Sequence, residues 1–302
     1  MNHASDHDHP APDYNRAFAL GVALNIGFVV VEVVFGLLAN SLALLTDAGH
    51  NLSDVLGLLL AWGANILATR KPSLRRTYGY SRATILASLA SGLLLLVAVG
   101  AIAWEAVLRF MQPVQPSGGV IMAVAGVGVV VNTATALLFI SGKDHDLNIR
   151  GAFLHMAADA AVSLGVVVSG ALILAWGLTW MDPAVSLLIA VVIFASTWGL
   201  LRDSLNLAVD AVPRGIDPGA VREYLSAQPG VSGIHDLHIW GMSTTENALT
   251  AHLVMASLPD NDRFLHDIAG QLRRRFHIHH ATVQLERGNA EVDCQQSGNC
   301  AE

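Results

Sequence analysis

The 302 residues are 53% hydrophobic and only 14% charged, where a soluble domain carries about a quarter charged residues. The net charge of −7 supplies no basic surface for nucleic acid, and no nucleic-acid-binding motif occurs. Cys294 and Cys300, the two cysteines, both lie near the C-terminus, which excludes a disulfide-built fold.

The chain starts with MNHASDHDHPAPDYNR, a polar acidic tail carrying His3, His7 and His9 and unlike the basic start of a signal peptide. Six apolar stretches follow, each near the roughly 20 residues a helix needs to cross the hydrocarbon core. They are Ala17–Leu38, Leu42–Ala68, Thr84–Val107, Val120–Ile140, Ile149–Trp176 and Pro183–Leu201. The second and fifth reach that length only by including polar residues. Between spans two and three, ATRKPSLRRTYGYSR carries Arg70, Lys71, Arg75, Arg76 and Arg82; between four and five lie Lys143 and Arg150. The opposite side has little beyond Arg109. Because Lys and Arg favour the cytoplasmic side, both termini are expected there. After Arg202 the composition becomes that of a soluble domain. The pattern predicts a helix over Pro218–Ala227, strands over Gly233–Gly241 and Ala248–Ala256, a helix over Asp262–Phe276 and a strand over Ala281–Glu286.

The expected fold is thus an α-helical membrane protein with six transmembrane helices and a C-terminal cytosolic α+β domain of order αββαβ. The expected divisions are a tail over 1–16, the membrane domain over 17–202, the cytosolic domain over 203–287 and a second tail over 288–302.

Spans two and five repeat one motif. DAGHNLSD places His50 four residues before Asp54, and HMAAD places His155 four before Asp159. Residues at i and i+4 share a helix face, so each helix offers one imidazole beside one carboxylate. Two such helices face to face supply two nitrogen and two oxygen ligands, a tetrahedral set suited to Zn²⁺. Two carboxylates also neutralise one divalent cation where uncompensated charge is expensive. Asp47, one turn before His50, is a further candidate, as an ion guide or as a structural hydrogen-bonding group.

These motifs, together with RRTYGYSRATILASL and VSGIHDLHIWGMSTTENALTAHL, resemble the cation diffusion facilitator family in its zinc-transporting branch. The resemblance covers nearly the whole chain. It implies a homodimer, a ferredoxin-like metal-binding cytosolic domain, and export of divalent metal from the cytoplasm in exchange for protons. Carried over by position, the transport ligands are His50, Asp54, His155 and Asp159. Zn²⁺ is then the transported substrate and no other cofactor is implied; the compact length and bare loops point to a bacterial inner membrane, crossed several times and in contact with its lipid. Two features of some family members are missing: the loop SGKDHDLN holds a single histidine, His145, and the loop between spans two and three has neither Asp nor His, so no metal site is expected there.

In the cytosolic domain the same resemblance selects His235, His252 and His266, with Glu286 at a carboxylate-ligand position and Gln284 where some relatives carry histidine. Cys294 and Cys300 resemble terminal thiols that complete a cytosolic zinc site in some members. His235 and His238 are three apart, so on one strand they are expected to point to opposite faces and not to share a site directly. Two rival classes remain. An intramembrane metalloenzyme needs an open metal position and a general base, as in H-E-x-x-H, and neither is present. A membrane metal sensor signalling through its cytosolic domain is the alternative that a flux measurement separates from a transporter.

Overall fold

The structure is a computed structural model and describes residues 15–140, 147–259 and 262–287. The N-terminal histidines, His145, Cys294 and Cys300 lie outside the described residues. Six long helices come first: α1 (Asn15–Leu38), α2 (Leu42–Ala68), α3 (Ala83–Met111), α4 (Gly118–Phe139), α5 (Leu147–Trp176) and α6 (Met181–Ala208). Then follow α7 (Pro218–Ser226), β1 (Val231–Gly241), β2 (Asn247–Met255), α8 (Arg263–Phe276) and β3 (His280–Arg287). Among the described residues, five helices are long and apolar enough to cross a membrane, and α1 contributes the shorter apolar segment Ala23–Leu38.

The chain divides into two compact units. The first takes the described residues up to Leu56 together with Leu94–Ser196; the second takes Gly57–Leu93 and the described residues from Thr197 onward. The first unit is apolar outside and buries polar groups among its apolar core residues. Val30, Val97, Val130, Leu174 and Leu188 are exposed, whereas Glu32, Asp47, Asn51, Asn132 and Asp159 are buried. That inversion suits a bundle whose surroundings are lipid.

Two features position the helices of this unit. Asp182, in the first turn of α6, caps α2. Its carboxylate accepts from the Ser41 hydroxyl at 2.6 Å and from the backbone N–H groups of Leu42 at 2.7 Å and Ala43 at 3.2 Å. The open N–H groups of a helix start are thereby satisfied by an anion at the positive end of the helix dipole. The second feature is the crossing of α4 and α5. A Cβ on Gly170 would lie 2.8 Å from the Met122 nitrogen and 2.9 Å from the Gly118 carbonyl oxygen. Only glycine lets the two backbones approach this closely.

In the second unit, α6 continues to Ala208, past the expected end at Leu201. No helix breaker intervenes until the left-handed Asp210 and then Pro213. Asp217 caps α7 by accepting from the Gly219 N–H at 2.8 Å, and Pro218 stands at the first helical position. The sheet runs β1-β2-β3, with β1 antiparallel and β3 parallel to β2. The parallel pair requires a crossover, which α8 provides. Val221 and Leu225 of α7 and Ile268 and Leu272 of α8 form one buried core with Leu249, Ala251 and Leu253 of β2. This is the αββαβ order expected from the sequence.

Candidate metal centres

The repeated motif lies within the first unit. His50 and Asp54 project from α2, His155 and Asp159 from α5, and the four alternate around a ring. His50 Nε2 is 3.7 Å from Asp54 Oδ2 and 3.5 Å from Asp159 Oδ1; His155 Nε2 is 3.3 Å from Asp54 Oδ2 and 3.6 Å from Asp159 Oδ2. These separations exceed good N–H···O distances. They do approach the edge of a tetrahedron around zinc: ligand distances of about 2.0–2.1 Å imply edges of roughly 3.3–3.4 Å. The imidazoles meet edge to face, with centroids 6.1 Å apart. Asp159 is 1% exposed while His155 is 43% exposed, so the ring is closed on one side and open on the other. His50 Nδ1 and the Oδ2 atoms of Asp54 and Asp159 are buried without a hydrogen-bond partner. Buried carboxylate oxygens in that condition suit a cation. Asp47 is not part of the ring: its Oδ2 accepts from Ser163 Oγ at 3.0 Å.

A second cluster belongs to the sheet. His235 on β1, His252 on β2 and Glu286 on β3 place one ligand atom each within 4.8 Å of the others. His235 Nε2 lies 2.8 Å from Glu286 Oε2, and His252 Nδ1 lies 2.9 Å from Glu286 Oε1. The register explains the meeting, because His235 and Gln284 both pair with His252 across the strands. Gln284 is not a spectator: its Nε2 donates to Glu286 Oε1 at 2.8 Å. Burial alone would push the Glu286 carboxyl up. The hydrogen bonds from His235 and Gln284, with the charges of His235 and His252, together outweigh burial and hold it below the usual glutamate value.

His266 lies on α8 with an exposed side chain, outside this trio. Sequence reasoning missed Asp236, which sits at φ 51° where the β1–β2 register shifts between His235 and His238. Its Oδ2 lies 3.5 Å from His252 Nε2 and its Oδ1 lies 2.9 Å from His238 Nε2. Asp236 thus approaches His252 at Nε2 while Nδ1 faces Glu286 Oε1, an arrangement of the kind that outer-shell carboxylates give to ligating histidines. The same shift places three steps of β1 opposite two of β2, so His235 and His238 share a face. The opposite-face expectation presumed a regular strand.

Comparison with known proteins decides the family. Residues 18–207 match the cation efflux transmembrane domain, and residues 213–288 match the cation efflux protein cytoplasmic domain. The chain belongs to the cation efflux family.

Relatives of this cation efflux protein span nearly its whole length. It is 34% identical to the metal cation efflux system protein CzcD of Cupriavidus metallidurans, over 100% of this chain and 96% of the relative. It is 35% identical to the zinc transporter ZitB of Escherichia coli, over 94% and 91% respectively. It is 33% identical to the cadmium, cobalt and zinc/H(+)-K(+) antiporter of Bacillus subtilis, over 93% and 91%. Among solved structures, the metal-bound C-terminal domain of the CzcD transporter from Cupriavidus metallidurans matches with 33% identity and a TM-score of 0.22, over 24% of this chain and 99% of that one. The family is one of multi-pass membrane transporters and not of enzymes. Nothing in the spacing of the sequence marked Ser163 or Asn51. Both are ordinary small polar residues until α1, α2 and α5 are seen together.

Proposed function

We propose that this protein exports Zn²⁺ from the cytoplasm in exchange for protons, by alternating access around His50, Asp54, His155 and Asp159. The observation that carries the reading is the ring of four N···O separations of 3.3–3.7 Å near a tetrahedron edge. The relatives named zinc transporter and zinc antiporter support it.

The chemistry follows from the donor set. Neutral imidazoles and ionised carboxylates bind the cation, and protons compete for the same atoms, so metal and protons occupy the site in alternation. Histidine changes charge near neutral pH and suits such an exchange. Direct coordination strips the hydration shell, which makes the protein a carrier and not a water-filled pore. Both termini face the cytoplasm, a topology supported by the basic loop holding Arg70, Lys71, Arg75, Arg76 and Arg82. The membrane is a bacterial inner membrane, and two copies form a homodimer.

His235, His252 and Glu286 form a cytosolic zinc site, with Asp236 and Gln284 orienting two of its ligands. Metal there shifts the conformational equilibrium to the extent that it binds one state better than the other.

The test is zinc flux into proteoliposomes under an imposed pH gradient, comparing wild type with Asp159→Ala. Gradient-dependent flux in wild type and its loss in the variant is the expected result. No flux of Zn²⁺, Cd²⁺ or Co²⁺ by correctly oriented, folded wild type would reject the transporter and favour a sensor. Flux that survives the substitution would relocate the site.

A further inference from the structure

Two buried carboxylates in the first unit have no part in the metal ring: Glu32 on α1 and Asp47 on α2. Both are 0% exposed, and they lie within hydrogen-bonding reach of each other. Each receives one hydrogen bond from a neutral donor. Asn51 Nδ2 donates to Glu32 Oε2 at 3.3 Å, and Ser163 Oγ donates to Asp47 Oδ2 at 3.0 Å. Glu32 Oε1 and Asp47 Oδ1 are buried and have no partner. Asp182 shows the contrast: equally buried, it has three donors and Arg109 at 3.4 Å.

Among the described residues no lysine or arginine pairs with Glu32 or Asp47. The helix α4 packs on α1 and has no ionisable side chain. Glu105 and Arg109 of α3 pair with each other, and Arg109 also pairs with Asp182 of α6. The charged groups acting on the pair from α2 and α5 are His50 and Asp159. Two carboxylates in contact and cut off from water cannot both stay ionised without a cation. A single proton between them supplies the missing donor and removes half the charge.

We propose that Glu32 and Asp47 together hold one exchangeable proton, which leaves when a divalent cation occupies the ring of His50, Asp54, His155 and Asp159. The linkage is built from neighbours in the helices. Asn51 directly follows His50, and Ser163 is one turn beyond Asp159, so both donors to the pair belong to the turns that carry metal ligands. A dication in the ring stabilises the doubly ionised pair, and the protonated pair weakens the hold on the metal; the coupling is reciprocal. In the exchange the carboxyl O–H breaks, the proton passes to water, and both carboxylates remain as anions. This pair deepens the antiport reading, and depends on it only for the physiological direction of the exchange.

The experiment counts protons released per zinc bound by the purified full chain in detergent. Zinc titration calorimetry at neutral pH, in buffers of different ionisation enthalpy, gives that number for wild type, Glu32→Gln and Asp47→Asn. Wild type is expected to release one proton more per zinc than either variant. Equal release would overturn the proposal. If neither variant folds or binds zinc, infrared spectra of wild type decide. A protonated-carboxyl C=O band in metal-free protein that disappears on zinc saturation supports the pair. A missing band, or one that persists with zinc, overturns it. Proteoliposomes separate the two readings, since absent proton counterflow refutes antiport whereas equal proton release refutes the pair.

Discussion

Replacing Asp182 tests how α2, and with it two of the four ring residues, is held in place. The carboxylate accepts from Ser41, Leu42 and Ala43, and Arg109 Nη1 approaches it at 3.4 Å. Hydrogen bonds to a charged group contribute about 1.5–3 kcal/mol each, but three on one carboxylate do not add. Asp182→Ala also removes one of the two carboxylates that pair with Arg109, whose side chain is only 13% exposed and keeps Glu105 at 3.1 Å. Breaking a buried pair by removing one member costs about 3–5 kcal/mol, and that figure sets the expectation. Asp182→Asn keeps the shape and one acceptor, so it should cost less. For a unit of this size the loss in Asp182→Ala corresponds to a fall in Tm of roughly 6–20 °C. Intrinsic tryptophan fluorescence on heating, in detergent and without metal, provides the measurement. Zinc affinity should fall along with stability, because His50 lies two turns into the capped helix. A Tm within a degree of wild type, or an Asn variant less stable than the Ala variant, would refute the reasoning.

Two further outcomes can be checked directly. Gly170→Ala places a Cβ 2.8 Å from the Met122 nitrogen, against at least 3.4 Å for ordinary contact, and overpacking of this kind costs about 1–3 kcal/mol. Gly165→Ala, on the same helix with nothing within 4 Å, should leave stability unchanged or raise it by up to about 1 kcal/mol; equal Tm values would contradict the close crossing. For the metal-free cytosolic domain, the lowered Glu286 pKa fixes the sign of a pH effect. Its contribution is complete above the ordinary value of 4.5 and is lost as pH falls through the depressed one. Amide exchange along β3 should therefore separate wild type from Glu286→Gln at neutral pH and converge in acid, and a difference that grows in acid would reverse the assignment.

Much of this protein was legible before folding because its strongest signals are local. Apolar length marks a membrane helix without reference to anything else in the chain. The four-residue spacing of His50 with Asp54, and of His155 with Asp159, guarantees a shared helix face in any α-helix. The alternation and turn residues after Arg202 likewise announce αββαβ, because strand and helix periods are properties of short segments.

What the sequence could not contain was the choice among distant partners. Nothing local in the first apolar span marks Glu32 as the neighbour of Asp47 on another helix. Asp236 escaped notice because only the register shift in β1 turns it toward His252. The same sheet register gathers His235 and Glu286 around His252 while His266 stays on an exposed helical face. Gly118 and Gly170 look like two of 27 glycines until the backbones cross on them. The physical reason is range. Helix faces and strand alternation are set by dihedral geometry within a few residues, so sequence alone determined the apolar helices and the two His–Asp pairs on shared helix faces. Whether a buried carboxylate meets a donor, another carboxylate or a metal depends on groups tens of residues away, and only the packed tertiary structure decided that.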